Sequence, residues 1–206
     1  MKDLKILCLI PARSGSKGIP NKNIKLLNGK PLLSYSIDQA KNCSYIKNMR
    51  IVVTTDSEEY AEIARAHGAE APFIRPKEIS QDLSTDLEFI QHSLKWFEEN
   101  ENYTPDIILQ LRPTQPHRKI SDINATLDMF IEKMDSYDSL RTVIEFDKSP
   151  YKMYRISCED KTLKPLFECV DDIENEPFNQ CRQILPKTYL HNGYIDILKA
   201  SIVKDN

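Results

Sequence analysis

The chain lacks a long apolar run. The longest, Ile6 to Ile10 with only Cys8 inside it, is far short of the ~20 residues a membrane span needs. The opening stretch MKDLKILCLIPARSG has no small-residue cleavage site, and Pro11 and Arg13 end its apolar part, which argues against a signal peptide. A basic surplus is also missing: 28 Lys and Arg stand against 31 Asp and Glu, a net charge of -3, so nucleic acid is not an expected partner. The five cysteines, Cys8, Cys43, Cys158, Cys169 and Cys181, form no CxxC pair, and the four histidines, His67, His92, His117 and His191, form no HExxH. A zinc site therefore has no support, and reduced thiols point to the cytoplasm. Neither GxxxxGK[ST] nor GxGxxG occurs, so neither a P-loop ATPase nor a dinucleotide enzyme is supported. Internal repeats and low-complexity tracts are absent.

What is present is a globular composition: 206 residues, 40% apolar and 29% charged. A single compact α/β domain with an appendage, 1–206, is expected, and a chain of this length buries roughly 70% of the surface its unfolded form exposes. KILCLI (5–10) is a continuous apolar run, as in a strand buried on both faces of a parallel sheet. Leu33, Ile37 and Ala40 follow at helical spacing behind Pro31, and RIVVT (50–54) returns to β-branched residues. Asp56 with Glu59 predicts a capping box for a helix closed by Gly68; Thr85 with Glu88 predicts another, with Leu87, Ile90, Leu94 and Phe97 as the inner face. DIILQL (106–111) reads as the next strand. Ser121 is expected to cap a helix facing inward through Ile123, Leu127, Phe130 or Ile131, and Met134, and DSLRTVIEF (138–146) contains another strand. Alternating strands and helices imply a mostly parallel sheet with right-handed crossovers. From about 147 to 190 the pattern turns to short, proline-punctuated pieces that read as an excursion, an arm for a partner subunit.

Ligands of open α/β sheets bind beyond the carboxyl ends of the strands. After the first strand, Pro11 to Lys30 carries Arg13, Lys17, Lys22, Lys25 and Lys30 and no acidic residue. Gly15 and Gly18 let amides turn inward, and Ser14 and Ser16 add hydroxyls, a combination suited to a nucleoside triphosphate. Asp56 in TTDS is explained by capping alone. In QLRPTQPHR (110–118), Arg112 and Arg118 flank Thr114 and Gln115, where a guanidinium fork suits an anion such as a carboxylate.

The loop IPARSGSKGIPNKN resembles the nucleotide-binding signature of the acylneuraminate cytidylyltransferase family, the CMP-sialic acid synthetases and relatives acting on other nine-carbon acids. The likeness continues in order through NGKPLLSYSI, VVTTDSEEYAEIARAHGAE, FIRPKEISQDLSTD, LRPTQPHR, SPYKMYRI and RQILPKTYLHNGYIDI. It implies a Rossmann-like nucleotidyltransferase fold with a small dimerisation arm. It also implies attack by the anomeric hydroxyl of a nonulosonic acid on the α-phosphate of CTP, with release of pyrophosphate and a need for Mg²⁺. By position, the resemblance gives Arg13, Ser16, Lys17, Lys22 and Asn23 phosphate and nucleotide contacts, with Arg13, Lys17 and Lys22 catalytic, and gives Arg75 and Ser84 the cytidine. Arg112, Lys152, Arg182 and Asn192 fall to the sugar acid, Arg182 reaching a partner's site in relatives. A homodimer is expected, with Tyr151, Met153, Tyr154, Leu166 and Phe167 as its apolar patch.

Two departures from the family pattern stand out. LRPTQPHR replaces the usual LQPTSPLR, so Arg112 takes the place of a substrate-associated glutamine, and the sugar acid is expected to differ from sialic acid. The family's aspartate-rich DxD segment, which holds the metal, would lie beyond Asn206, so the metal ligands are unknown. A second reading is therefore a nucleotide-binding or dimerisation protein without turnover. A third is another CTP-dependent synthetase, acting on Kdo or a methylerythritol derivative, against which the SPYKMYRI to NGYIDI arm argues. A metal-dependent glycosyltransferase would need a DxD that the chain lacks.

Overall fold

The computed structural model describes residues 4–171, 173 and 176–204; the first three residues of the opening stretch, and Asn206, lie outside them. Along the chain run β1 (Ile6–Pro11), β2 (Leu26–Leu27), β3 (Lys30–Pro31), α1 (Leu32–Lys41), β4 (Met49–Thr54), α2 (Glu58–Ala66) and α3 (Asp86–Glu101). Then come β5 (Ile107–Gln110), α4 (Ile120–Lys133), β6 (Ser139–Phe146), β7 (Tyr154–Ile156), β8 (Leu163–Pro165), β9 (Thr188–Lys199) and α5 (Ser201–Lys204). The chain divides into two compact units, Met1–Thr142 with Gly193–Asn206, and Val143–Asn192.

The five-stranded sheet has the order β4-β1-β5-β9-β6. β1 pairs in parallel with β4 on one side and β5 on the other, and β9 returns antiparallel to β5, Ile108 opposite Leu198. The sheet is thus mostly parallel, as expected. β1 is apolar throughout because both its faces are covered. Ile6, Cys8 and Ile10 enter one core with Leu33 and Ile37 of α1 and Leu127 and Phe130 of α4, whereas Leu7 and Leu9 enter the other with Phe89, Leu94 and Phe97 of α3. Ile6, Leu7, Leu9 and Ile10 are fully buried, and each such side chain contributes about 1.5–3 kcal/mol relative to exposure.

The helix ends match the sequence reading in part. The Thr85–Glu88 capping box forms, and Gly68 lies just past α2 with φ +88. α2 is instead preceded by Ser57, whose side chain makes no cap bond, and Asp56 accepts from Ser14 rather than from the helix. α4 begins at Ile120 behind Lys119, so Ser121 lies inside the helix rather than capping it. On α3, Leu87 is 42% exposed, and Phe89 joins Ile90, Leu94 and Phe97 on the buried face. The buried stripe of α3 thus starts at Phe89, two residues later than its spacing suggested.

In the second unit, β7 and β8 form an antiparallel ribbon, Arg155 opposite Lys164, and the rings of Tyr151 and Phe167 meet at 5.1 Å. Tyr154, Ile156, Leu163, Leu166 and Phe167 are all exposed.

Candidate functional site

The loop after β1 is held from three sides. The Ala12 amide donates to the Thr54 carbonyl of β4 at 3.0 Å. Asp56, just past β4, accepts from the Ser14 amide at 2.7 Å and the Ser14 hydroxyl at 2.9 Å. Asn23, 5% exposed, donates its side-chain amide to the Arg13 carbonyl at 3.0 Å. Asp56 therefore braces the loop instead of capping α2, a correction to the sequence reading; its partner lies 42 residues away, beyond any local pattern. Gly15 and Gly18 do not take positive φ. The left-handed residue of this loop is Asn21, φ 53, directly before the short turn Lys22–Ile24.

The loop forms one wall of a cleft of about 370 Å³ at the carboxyl ends of the strands. Arg13, Ser16, Lys17, Lys22 and Asn23 line it together with Arg75, Ser84 and Arg112. These residues come from four separate segments of the chain, and the fold gathers them into one hollow. Phe89 and Asp86 of α3 line it too, and the sequence reading had given neither a role in the site. Asp86 was open to detection, since it directly follows the Thr85 cap.

Arg75 is the unusual group. It is 4% exposed, and its amide donates to the Thr55 carbonyl at 2.7 Å. Its Nε and Nη2 are buried without a hydrogen-bond partner. The guanidinium carbon lies 5.5 Å from the Phe89 ring centroid. Burial lowers its pKa from the ordinary guanidinium range, against the pull of Asp56. Buried donors are nearly always paired in native proteins, so a guanidinium left open in a cleft is fitted to acceptors on a ligand.

Arg112 is treated in the opposite way. Its Nη1 is paired with Asp196, 5% exposed, and its Nη2 with Asp86. Burial alone would lower its pKa, but the two carboxylates raise it above the ordinary value. The anion fork expected of Arg112 and Arg118 does not form. Arg118, 4% exposed, spends its donors on the Tyr194 carbonyl at 2.5 Å, Gln39 Oε1 at 2.6 Å and the Arg112 carbonyl at 3.0 Å. It pins the 112–118 loop from below, and its burial pushes its pKa down to about 10.

The remaining expected residues belong to the second unit. Lys152 is exposed, its ammonium donating to the Phe178 carbonyl at 3.4 Å. Arg182 is exposed on a groove of about 350 Å³ shared with Glu145, Ser149 and Lys187, where the Ser149 hydroxyl is buried without a partner. Asn192 is half-buried and directly precedes Gly193, φ 60, whose missing Cβ would lie 3.5 Å from the Arg112 side chain.

The described residues contain no group of three or more His, Cys, Asp or Glu side chains able to hold a metal ion. The carboxylates around the cleft are already engaged: Asp82 by Arg13 and Lys17, Asp86 and Asp196 by Arg112. They do not fit a resident Mg²⁺. None of the described helices is long and apolar enough to cross a membrane.

A mostly parallel sheet with a cationic cleft at its strand ends is the nucleotidyltransferase form of the α/β fold. A solved CMP-2-keto-3-deoxy-manno-octonic acid synthetase complexed with CTP superposes with a TM-score of 0.67 over 98% of this chain and 76% of that one, at 16% identity. Residues 7–175 match the cytidylyltransferase family, and the chain belongs to it. It is 36% identical over 144 residues to the N-acylneuraminate cytidylyltransferase of Escherichia coli, which covers 70% of this chain but only 32% of that protein. It is 33% identical over 204 residues to the CMP-N,N'-diacetyllegionaminic acid synthase of Legionella pneumophila, covering 98% of this chain and 82% of that one.

Proposed function

We propose that the chain transfers CMP from CTP to a nonulosonic, sialic-like acid. The anomeric hydroxyl of the acid attacks the α-phosphorus, the bond to the β-phosphate oxygen breaks, pyrophosphate leaves, and the hydroxyl proton passes to solvent. The observation that carries this reading is Arg75, a buried guanidinium with two unpaired nitrogens in a cleft that Arg13, Lys17 and Lys22 also line. The O2 and N3 acceptors of cytosine match those donors, with the Ser84 hydroxyl beside them. Arg13, Lys17 and Lys22 then take the triphosphate and stabilise charge developing on the leaving pyrophosphate, since phosphoryl-type transfer relies mainly on positioning and electrostatics. Ser16 adds a hydroxyl donor, and Asn23 acts through the Arg13 carbonyl it holds.

For the sugar acid the family resemblance points to Lys152, Arg182 and Asn192 of the second unit; the charge of Arg112 in the first is neutralised by Asp86 and Asp196. The names of the relatives support a nonulosonic acid. The exposed Tyr154, Leu166 and Phe167 of the second unit support a homodimer, tested by sedimentation velocity, and the chain is taken to work in the cytoplasm.

The test is pyrophosphate release from CTP, ATP and UTP with a panel of nonulosonic acids. Release with CTP and at least one acid is expected. Binding of CTP with no release from any acid would leave a nucleotide-binding protein without turnover, and failure to prefer CTP over ATP would overturn the assignment of Arg75.

A further inference from the structure

Asp82 stands where the cleft's cations would meet a polyphosphate. Its Oδ1 lies 2.9 Å from Arg13 Nη2, and its Oδ2 is paired with Lys17 Nζ. One carboxylate thus spans two of the three loop cations that line the cleft, Arg13, Lys17 and Lys22. The segment that carries it is stiff: the Ser80 hydroxyl donates to the Pro76 carbonyl at 2.8 Å, and the Gln81 amide donates to the Ser84 hydroxyl at 2.9 Å. The bridge also forms a bar between two cavities. One is the cleft; the other, of about 300 Å³, shares Arg13, Lys17, Ser80 and Gln81 with it and has Asp82 in its lining.

We propose that Asp82 is a built-in counter-ion of the phosphate loop, which a polyphosphate must displace before it can bind. The proposal rests on the reading of this loop as the seat of the triphosphate. Both partners are open to water, Lys17 at 79% and Asp82 at 36%, and ion pairs this exposed are weak. The bridge therefore yields to a strongly charged anion and resists a weakly charged one. Lys17 and Arg13 hold the Asp82 carboxyl below the usual carboxylate range, so it stays charged at neutral pH. A ligand that needs both cations binds only the fraction of molecules in which Asp82 has let go, and its apparent affinity falls by that fraction. A ligand that uses only the Arg75 end of the cleft escapes this handicap. Asp82 thereby sets how strongly the phosphates, as distinct from the nucleoside, contribute to binding.

The experiment is titration calorimetry of the full chain and of Asp82→Asn and Asp82→Ser with CTP, inorganic pyrophosphate and cytidine, with thermal melts to check folding. Both variants are expected to bind pyrophosphate and CTP about fivefold more tightly, the size that two exposed ion pairs allow. The gain should shrink on addition of salt, and cytidine binding should not change. Unchanged or weaker pyrophosphate binding in a folded variant overturns the proposal, because Asp82 then orients the cations instead of competing for them. If pyrophosphate binds to none of the three proteins, the reading of the loop itself fails, and this inference with it.

Discussion

Two segments that contribute to one cleft handle their arginines in contrary ways. The segment before α3 buries Arg75 and leaves two of its nitrogens without acceptors, whereas the segment after β5 gives every donor nitrogen of Arg118 an acceptor and pairs Arg112 with two carboxylates. A buried cation with no partner destabilises the empty protein and is relieved only by a ligand. A cation with a full set of partners holds the scaffold in place and has little left to offer a ligand.

The sharpest way to break this comparison is Arg118→Met. It strips the acceptors on Gln39, Arg112 and Tyr194 and should cost about 3 kcal/mol of folding stability, in line with two or three buried groups losing their partner. Denaturant melts measure this, and a loss below 1 kcal/mol would mean the pinning is incidental. Arg75→Met should do the reverse. CTP affinity in calorimetry should fall about a hundredfold, as expected for two hydrogen bonds from a charged donor, while the thermal midpoint stays the same or rises. A midpoint that drops as steeply as the affinity would make Arg75 another scaffold residue. Arg112→Gln should fall between the two. It removes the Arg112 ion pair from the buried Asp196, which Arg141 approaches at 4.0 Å, costing about 1–2 kcal/mol of stability, and it should change CTP affinity less than Arg75→Met does. Asp56→Ala should have the smallest effect on folding. Freeing Ser14 loosens the loop and should weaken pyrophosphate binding about fivefold, the size of one net hydrogen bond; Ser14→Ala in the same background should then add nothing further.

Much of the fold was legible because it rests on local rules. The apolar run of β1, the Thr85–Glu88 capping box and Gly68 beyond α2 all stand where spacing put them. The site residues named from the loop and from the family resemblance also meet in one cleft as far as Arg112, while Lys152, Arg182 and Asn192 belong to the second unit. What misled were residues with a plausible local partner and a stronger distant one. Asp56 fits an Asp-x-x-Glu cap, yet it accepts two bonds from Ser14 across the sheet end. Arg118 fits an anion-binding fork with Arg112, yet Gln39 and Tyr194 draw it into the interior. Gly15 and Gly18 are the residues of this loop with the most backbone freedom, yet it is Asn21 that takes the left-handed region, which asparagine tolerates. Asp82 gave no sign at all, because its meaning depends wholly on the two cations it meets.

The return of β9 to the sheet has a consequence for how the protein is made. Strand β5 is flanked by β1 on one side and by β9 on the other, and β9 reaches it only after Val143–Asn192 has been synthesised. Until then a nascent chain carries the apolar strand Ile107–Gln110 with one edge unpaired, the kind of edge that recruits other strands. Asp196, which holds Arg112, arrives on that same late strand. Sealing of the aggregation-prone edge and pairing of Arg112 with Asp196 are thus a single event in biosynthesis, so a ribosome that stalls within the inserted segment releases a product that is both sticky and unfinished at the cleft.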